Sequence, residues 1–244
     1  MKCRLLIGAL MLTTLANAQG REVLPDCQRG NTVLSSVESR WDTSPALAQE
    51  TTAGTPGAPS DATPNPWAFS LTTSGYIVRG GQSTVSSDFF ASRGRLRLEA
   101  RYNSEALKTG SLWAGYNFKA GKKLVLNATP MFGGVFGNLN GVAAGYVIAL
   151  TYKRVQLYSN GEGVFDDQNR GSSFFSSWSQ ATYSPLKWLQ AGLVSETTRI
   201  YHTNLDLQRG VLVRFAHKNV SFTTAVFNFG WTTPTEVLSL GFKF

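Results

Sequence analysis

The last eight residues, Val237-Leu238-Ser239-Leu240-Gly241-Phe242-Lys243-Phe244, constrain the fold more tightly than any other stretch of this chain. Side chains along an extended strand alternate between two faces. Leu238, Leu240, Phe242 and Phe244 therefore share one face, and Val237, Ser239, Gly241 and Lys243 the other. Such a strand needs an apolar medium on one side and a more polar one on the other. It fits the amphipathic edge of a soluble sheet, or the wall of a barrel that meets lipid outside and water inside. Other segments decide between these.

At the amino terminus, Lys2 and Arg4 precede the apolar run Leu5 to Leu15 and then Ala16-Asn17-Ala18. A positive start, a short apolar stretch and an A-x-A site predict a secretory signal peptide over residues 1–18. The run is too short for a membrane-spanning helix, and no later segment is long and apolar enough to be one, so a membrane form must cross as strands. Cys3 falls inside the signal peptide and leaves Cys27 alone, which excludes an internal disulfide. Leu24-Pro25-Asp26 lacks the small residues of a lipidation site, so Cys27 reads as an unpaired thiol. Residues 19–66 are rich in Ser, Thr, Ala and Pro, with Pro56, Pro59, Pro64 and Pro66 close together, and predict a disordered periplasmic tail.

From Trp67 onward, short alternating stretches are separated by turn residues. Strands are predicted near Trp67–Val78, Asp88–Asn103, Ser111–Phe118, Lys123–Phe132, Gly141–Tyr152 and Val155–Phe165, then near Ser172–Tyr183, Trp188–Tyr201, Leu205–Ala216, Val220–Phe229 and Glu236–Phe244. A barrel with both chain ends on one side needs an even number. One strand is therefore merged or split, around Gly80 to Arg93; the expected number is twelve, with ten admissible. Leu112, Ala114, Tyr116 and Phe118 form one outward face, and Val142, Ala144, Tyr146, Ile148, Leu150 and Tyr152 another. Phe118, Tyr152, Tyr183 and Trp188 are predicted at the membrane interfaces, where amphipathic rings gather.

With this alternation, the signal peptide and the terminal Phe244, residues 67–244 resemble Gram-negative outer-membrane β-barrels of porin-like type, at the level of the class. The resemblance implies an all-β, transmembrane, antiparallel up-and-down barrel in the outer membrane, monomeric at this size. It also implies contact with outer-membrane lipid and lipopolysaccharide. Leu238, Leu240, Phe242 and Phe244 would be the signal read by the barrel-assembly machinery. The net charge of +8 suits lipopolysaccharide phosphates, with Arg79, Arg170 and Arg199 near strand ends. Secretion argues against nucleic acid, and the sequence calls for no cofactor or metal: Asp166-Asp167-Gln168-Asn169 lacks the spacing of a calcium loop. Gly133-Gly134-Val135-Phe136-Gly137 lacks the context of a phosphate loop, so its glycines are assigned to a strand-to-loop transition.

The sharpest interior feature is Arg93-Gly94-Arg95-Leu96-Arg97-Leu98-Glu99-Ala100-Arg101. Read as one strand, it puts Arg93, Arg95, Arg97, Glu99 and Arg101 on one face, and that face must be the lumen, since a charge at mid-bilayer costs about 2–4 kcal/mol on a barrel's lipid side. Glu99, Glu162 and Glu196 are candidate partners, with Asp206 nearer a strand end. Either these groups form a salt-bridge network that fills the lumen, or unpaired arginines line a wet pore and favour anions. The leading functional expectation is a small porin-like channel for anionic or polar solutes. A closed structural barrel whose loops or tail bind a partner is the alternative. A lipid hydrolase is the least favoured reading: His217 falls in a tight turn, and His202 has no accompanying nucleophile motif.

Overall fold

The computed structural model describes residues 66–78, 81–230 and 234–244; the expected signal peptide, the expected tail up to residue 65 with Cys27, and Arg79 lie outside the described residues. Strands occupy β1 Ala68–Val78, β2 Thr84–Arg93, β3 Leu96–Tyr102, β4 Thr109–Tyr116, β5 Phe118–Ala120, β6 Leu124–Gly137 and β7 Gly141–Tyr152. They continue with β8 Val155–Asp166, β9 Phe174–Leu186, β10 Leu189–Ile200, β11 Asp206–His217, β12 Val220–Phe227 and β13 Thr235–Lys243. Apart from β4 and β5, each strand pairs antiparallel with its chain neighbours, β4 pairs with β6, and β1 pairs with β13 to close the sheet on itself. The short β5 continues β4: both pair with β6 in one register, Gly115 opposite Met131 and Phe118 opposite Ala128. The chain thus crosses the wall twelve times. Closure satisfies the backbone of every wall strand, which hydrocarbon surroundings require.

The predicted strand Asp88–Asn103 is two strands. Gly94-Arg95 forms a tight turn between β2 and β3, with Arg93 opposite Leu96 and Gly94 at φ +59°. This correction supplies the missing strand and breaks the arginine ladder, because β2 points its even-numbered residues inward and β3 its odd-numbered ones. Gly133 and Gly134 are also reassigned, since both lie inside β6 rather than at a strand-to-loop transition.

Alternation sorts the wall into two faces. Leu112 and Leu193 are 59% and 65% exposed on the outside, whereas their neighbours Trp113 and Val194 are buried inside. Some polar groups on the outer face bond to one another, as Ser159 Oγ does at 3.0 Å from Ser179 Oγ and 3.4 Å from Tyr146 Oη; Arg209 and Glu236 also fall on this face, toward the distal end. The end that carries Ala68 and Lys243, here the proximal end, is closed by short turns. Longer links lie at the distal end. Two of these fold inward, burying Ser104, Glu105, Ala106 and Leu139. They are tied together by Asn138 Nδ2 donating to Leu107 O at 2.9 Å.

Candidate functional site within the barrel

The interior is organised around Arg101. Gly133 and Gly145, on adjacent strands β6 and β7, make a shelf for the Trp113 ring: a Cβ on Gly133 would sit 2.6 Å from Trp113 Cδ2, and one on Gly145 3.3 Å from Cζ3. The Arg101 guanidinium lies 4.5 Å from the centroid of that ring. From there it donates to Glu99 Oε2 at 2.7 Å, to Glu105 Oε1 at 3.3 Å and, across the interior from β3 to β8, to Glu162 Oε2 at 3.2 Å. Arg97 Nε donates to the other Glu99 oxygen at 2.5 Å, and its guanidinium sits 5.0 Å from the Phe90 ring. Glu105 Oε1 also accepts from Ser111 Oγ at 2.6 Å and Trp113 Nε1 at 3.2 Å. Asp88, opposite Arg101 on β2, accepts from Ser104 Oγ at 2.5 Å.

The expected lumen residues therefore divide. Arg97, Glu99 and Arg101 share one network and Glu162 joins it. Glu196 is buried on the inner face of β10, opposite Trp178 rather than within the cluster. Arg93 and Arg95 stand outside the lumen. Arg93 is exposed at the end of β2 near the Trp67 ring, and Arg95 donates from its turn to Tyr116 Oη at 2.9 Å. Of the two arginines left inside from the ladder, each is held by carboxylate.

A second section of the wall, on β8 to β12, is polar without dense charge. Gln190 Nε2 donates to Thr182 Oγ1 at 2.8 Å, and Arg214 Nε donates to Thr223 Oγ1 at 3.1 Å. Trp178 meets Phe227 edge-on, with centroids 5.1 Å apart. Both amide atoms of Asn160, and Gln180 Oε1, are buried without a hydrogen-bond partner.

Sequence reasoning missed Glu105, Trp113, Asn160 and Gln180. Glu105 lies in a loop that folds inward, and nothing in a loop's composition reports its direction. Trp113 had a signal in the glycines of β6 and β7, which free space for a large ring. His202 and His217 lie at opposite ends of the barrel, both exposed, with His202 in a turn at φ +63° beside the Tyr201 ring. Asp166 caps its own turn, accepting from the backbone of Gln168 and Asn169.

No protein-family model matches the chain, and no curated protein does. Among solved structures, the KdgM porin superposes with a TM-score of 0.52 at 14% identity, covering 72% of this chain and 99% of KdgM. The KdgM porin in complex with disordered oligogalacturonate gives 0.53 at 13% identity, with the same coverage. Pseudomonas aeruginosa OpdQ is also similar, with a TM-score of 0.41 at 10% identity, covering 69% of this chain and 59% of OpdQ. The fold is that of an outer-membrane porin-like barrel.

Proposed function

We propose that this protein is an outer-membrane channel for small polar solutes, with Arg97, Glu99, Arg101, Glu162 and Glu196 as charged groups packed on the inner face of its wall. The observation that carries this reading is the closed wall with opposite faces: mainly apolar outside, and inside a mixed lining in which charged and amide groups, Asn160 and Gln180 among them, stand between aromatic and aliphatic ones such as Trp113, Trp178 and Leu212. A solute hydroxyl or water can satisfy those amides, and Trp178 and Tyr158 stand beside them on the same face.

Charge weighs against the anion preference expected of an arginine ladder. Among the described residues, Asp88, Glu99, Glu105, Glu162, Asp166 and Glu196 are the buried acids, while Arg101 and Arg214 are the buried bases. Arg97 is partly buried and paired. This lining suits uncharged, hydroxyl-rich solutes and small cations better than free anions. The KdgM complex contains a hydroxyl-rich polymer, which agrees with the hydroxyl part of this reading; the acidic part finds less support in these residues. Assembly through the last strand, ending in Leu240, Phe242 and Phe244, and residence as a monomer in outer-membrane lipid belong to the same proposal.

The test is osmotic swelling of liposomes carrying the refolded barrel in neutral sugars of increasing size. Uptake of mono- and disaccharides is expected, with slower uptake in Asn160→Leu. Liposomes that do not swell with any sugar, although the barrel is folded, would favour the closed structural barrel instead.

A further inference from the structure

We propose that the proximal rim of the barrel is a docking surface for anionic phospholipid headgroups. Five turns close this end, and each carries at least one exposed cation: Arg95, Lys122, Lys153 with Arg154, Lys187 and Lys218. No Asp or Glu occurs in these turns or in the Lys243-Phe244 end. The distal links mix signs, with Glu105, Lys108, Asp167 and Arg170. The basic character of the chain thus gathers at the end opposite to that expected for contact with lipopolysaccharide.

Two of the cations, Lys153 and Arg95, are held on the lipid side of the rim. Lys153 Nζ lies 5.3 Å from the centroid of Tyr152, and the Arg95 guanidinium lies 5.8 Å from that of Tyr116. Both rings point outward, being 47% and 43% exposed. The four aromatics expected at membrane interfaces, Phe118, Tyr152, Tyr183 and Trp188, all cluster at this same end. Such rings settle at headgroup depth, so charges resting on them lie at the level of the phosphates. Lys153 and Lys218 also occupy the left-handed backbone region, at φ +53° each, which Gly or Asn fills at lower cost.

Distribution selects the occupant. A folded acidic partner would meet one side of the rim, whereas the cations recur at every proximal turn around the perimeter. A lipid surface surrounds the whole perimeter. Each engaged cation is expected to favour an anionic headgroup about fivefold at low salt.

This inference rests on the membrane-barrel reading, and the experiment separates the two. The full chain is refolded into equimolar phosphatidylcholine and phosphatidylglycerol vesicles, with one lipid or the other brominated, and tryptophan quenching is read. Quenching is expected to favour phosphatidylglycerol several-fold, and to become equal at roughly 0.5 M salt, where the screening length is only a few ångströms. The preference should fall in Lys153→Gln/Arg154→Gln/Lys187→Gln and persist in the distal control Lys108→Gln/Arg170→Gln/Arg199→Gln. Insertion with equal quenching by both lipids, or equal loss in both variants, overturns the proposal and leaves the barrel reading intact. Abolition by inorganic phosphate at constant ionic strength also overturns it, by revealing a free-anion site. Failure to insert into either lipid overturns both readings.

Discussion

Replacing Arg101 with alanine should be the most damaging single change inside the barrel. The Arg101 side chain is 1% exposed, and its partners Glu99, Glu105 and Glu162 are 1%, 0% and 3% exposed. Removing the guanidinium takes from three buried carboxylates the cation they share, although Arg97 still donates to Glu99, and Ser111 and Trp113 to Glu105. It also strips the cation from the Trp113 face. Breaking a buried pair by deleting one partner costs about 3–5 kcal/mol, chiefly because the remaining charge is stranded. With a urea dependence of about 2–3 kcal/mol/M, the unfolding midpoint should fall by about 1–2.5 M. The assay is urea unfolding in lipid vesicles, followed by the gel shift that distinguishes folded from heated barrel. Adding Glu162→Gln should restore part of the loss, since neighbours in one network couple by about 0.5–3 kcal/mol. A midpoint within about 0.3 M of the parent would refute the reasoning, showing that water already screens the cluster.

Other perturbations test separate parts of the account. Gly133→Leu puts a side chain where a Cβ alone would meet Trp113 at 2.6 Å, so it should displace the ring, shift tryptophan emission and cost about 1–3 kcal/mol of urea stability. Asn160→Leu removes two unpartnered polar atoms, and should leave the barrel as stable as the parent or more so while slowing sugar uptake in the swelling assay. Phe244→Ala, with Phe242→Ala, should reduce folded protein in outer-membrane fractions more than it changes the urea midpoint. Equal effects on both would assign these rings to packing alone: Phe244 stacks on Phe69, with centroids 6.3 Å apart.

Much of the barrel was legible because lipid imposes a strict rule on sequence. Outward positions such as Leu112, Ile148 and Leu240 must be apolar at every second residue, and that alternation survives without any knowledge of neighbours. The hairpin at Gly94-Arg95 was hidden for a physical reason. A two-residue turn occupies so little chain that the basic residues on either side look like one run, while pairing of Ser92 with Arg97 silently reverses which parity faces in. Partnership across the lumen was only partly readable. Glu162 was a candidate for Arg101 because both carry charge on strands, but their meeting depends on register around four intervening pairings. Glu105 depended on the path of a loop. The polar wall at Asn160 and Gln180 gave no signal at all, since single amides in a β-strand look alike whether they face water, lipid or each other.

Single-channel recording of the refolded full chain in a planar bilayer, under a salt gradient, addresses the channel reading most directly. Stable conductance steps are expected, with a reversal potential of the sign for cation preference that grows in Arg101→Ala as the carboxylates lose their counter-charge. Silence from a barrel shown to be folded and inserted would contradict the account.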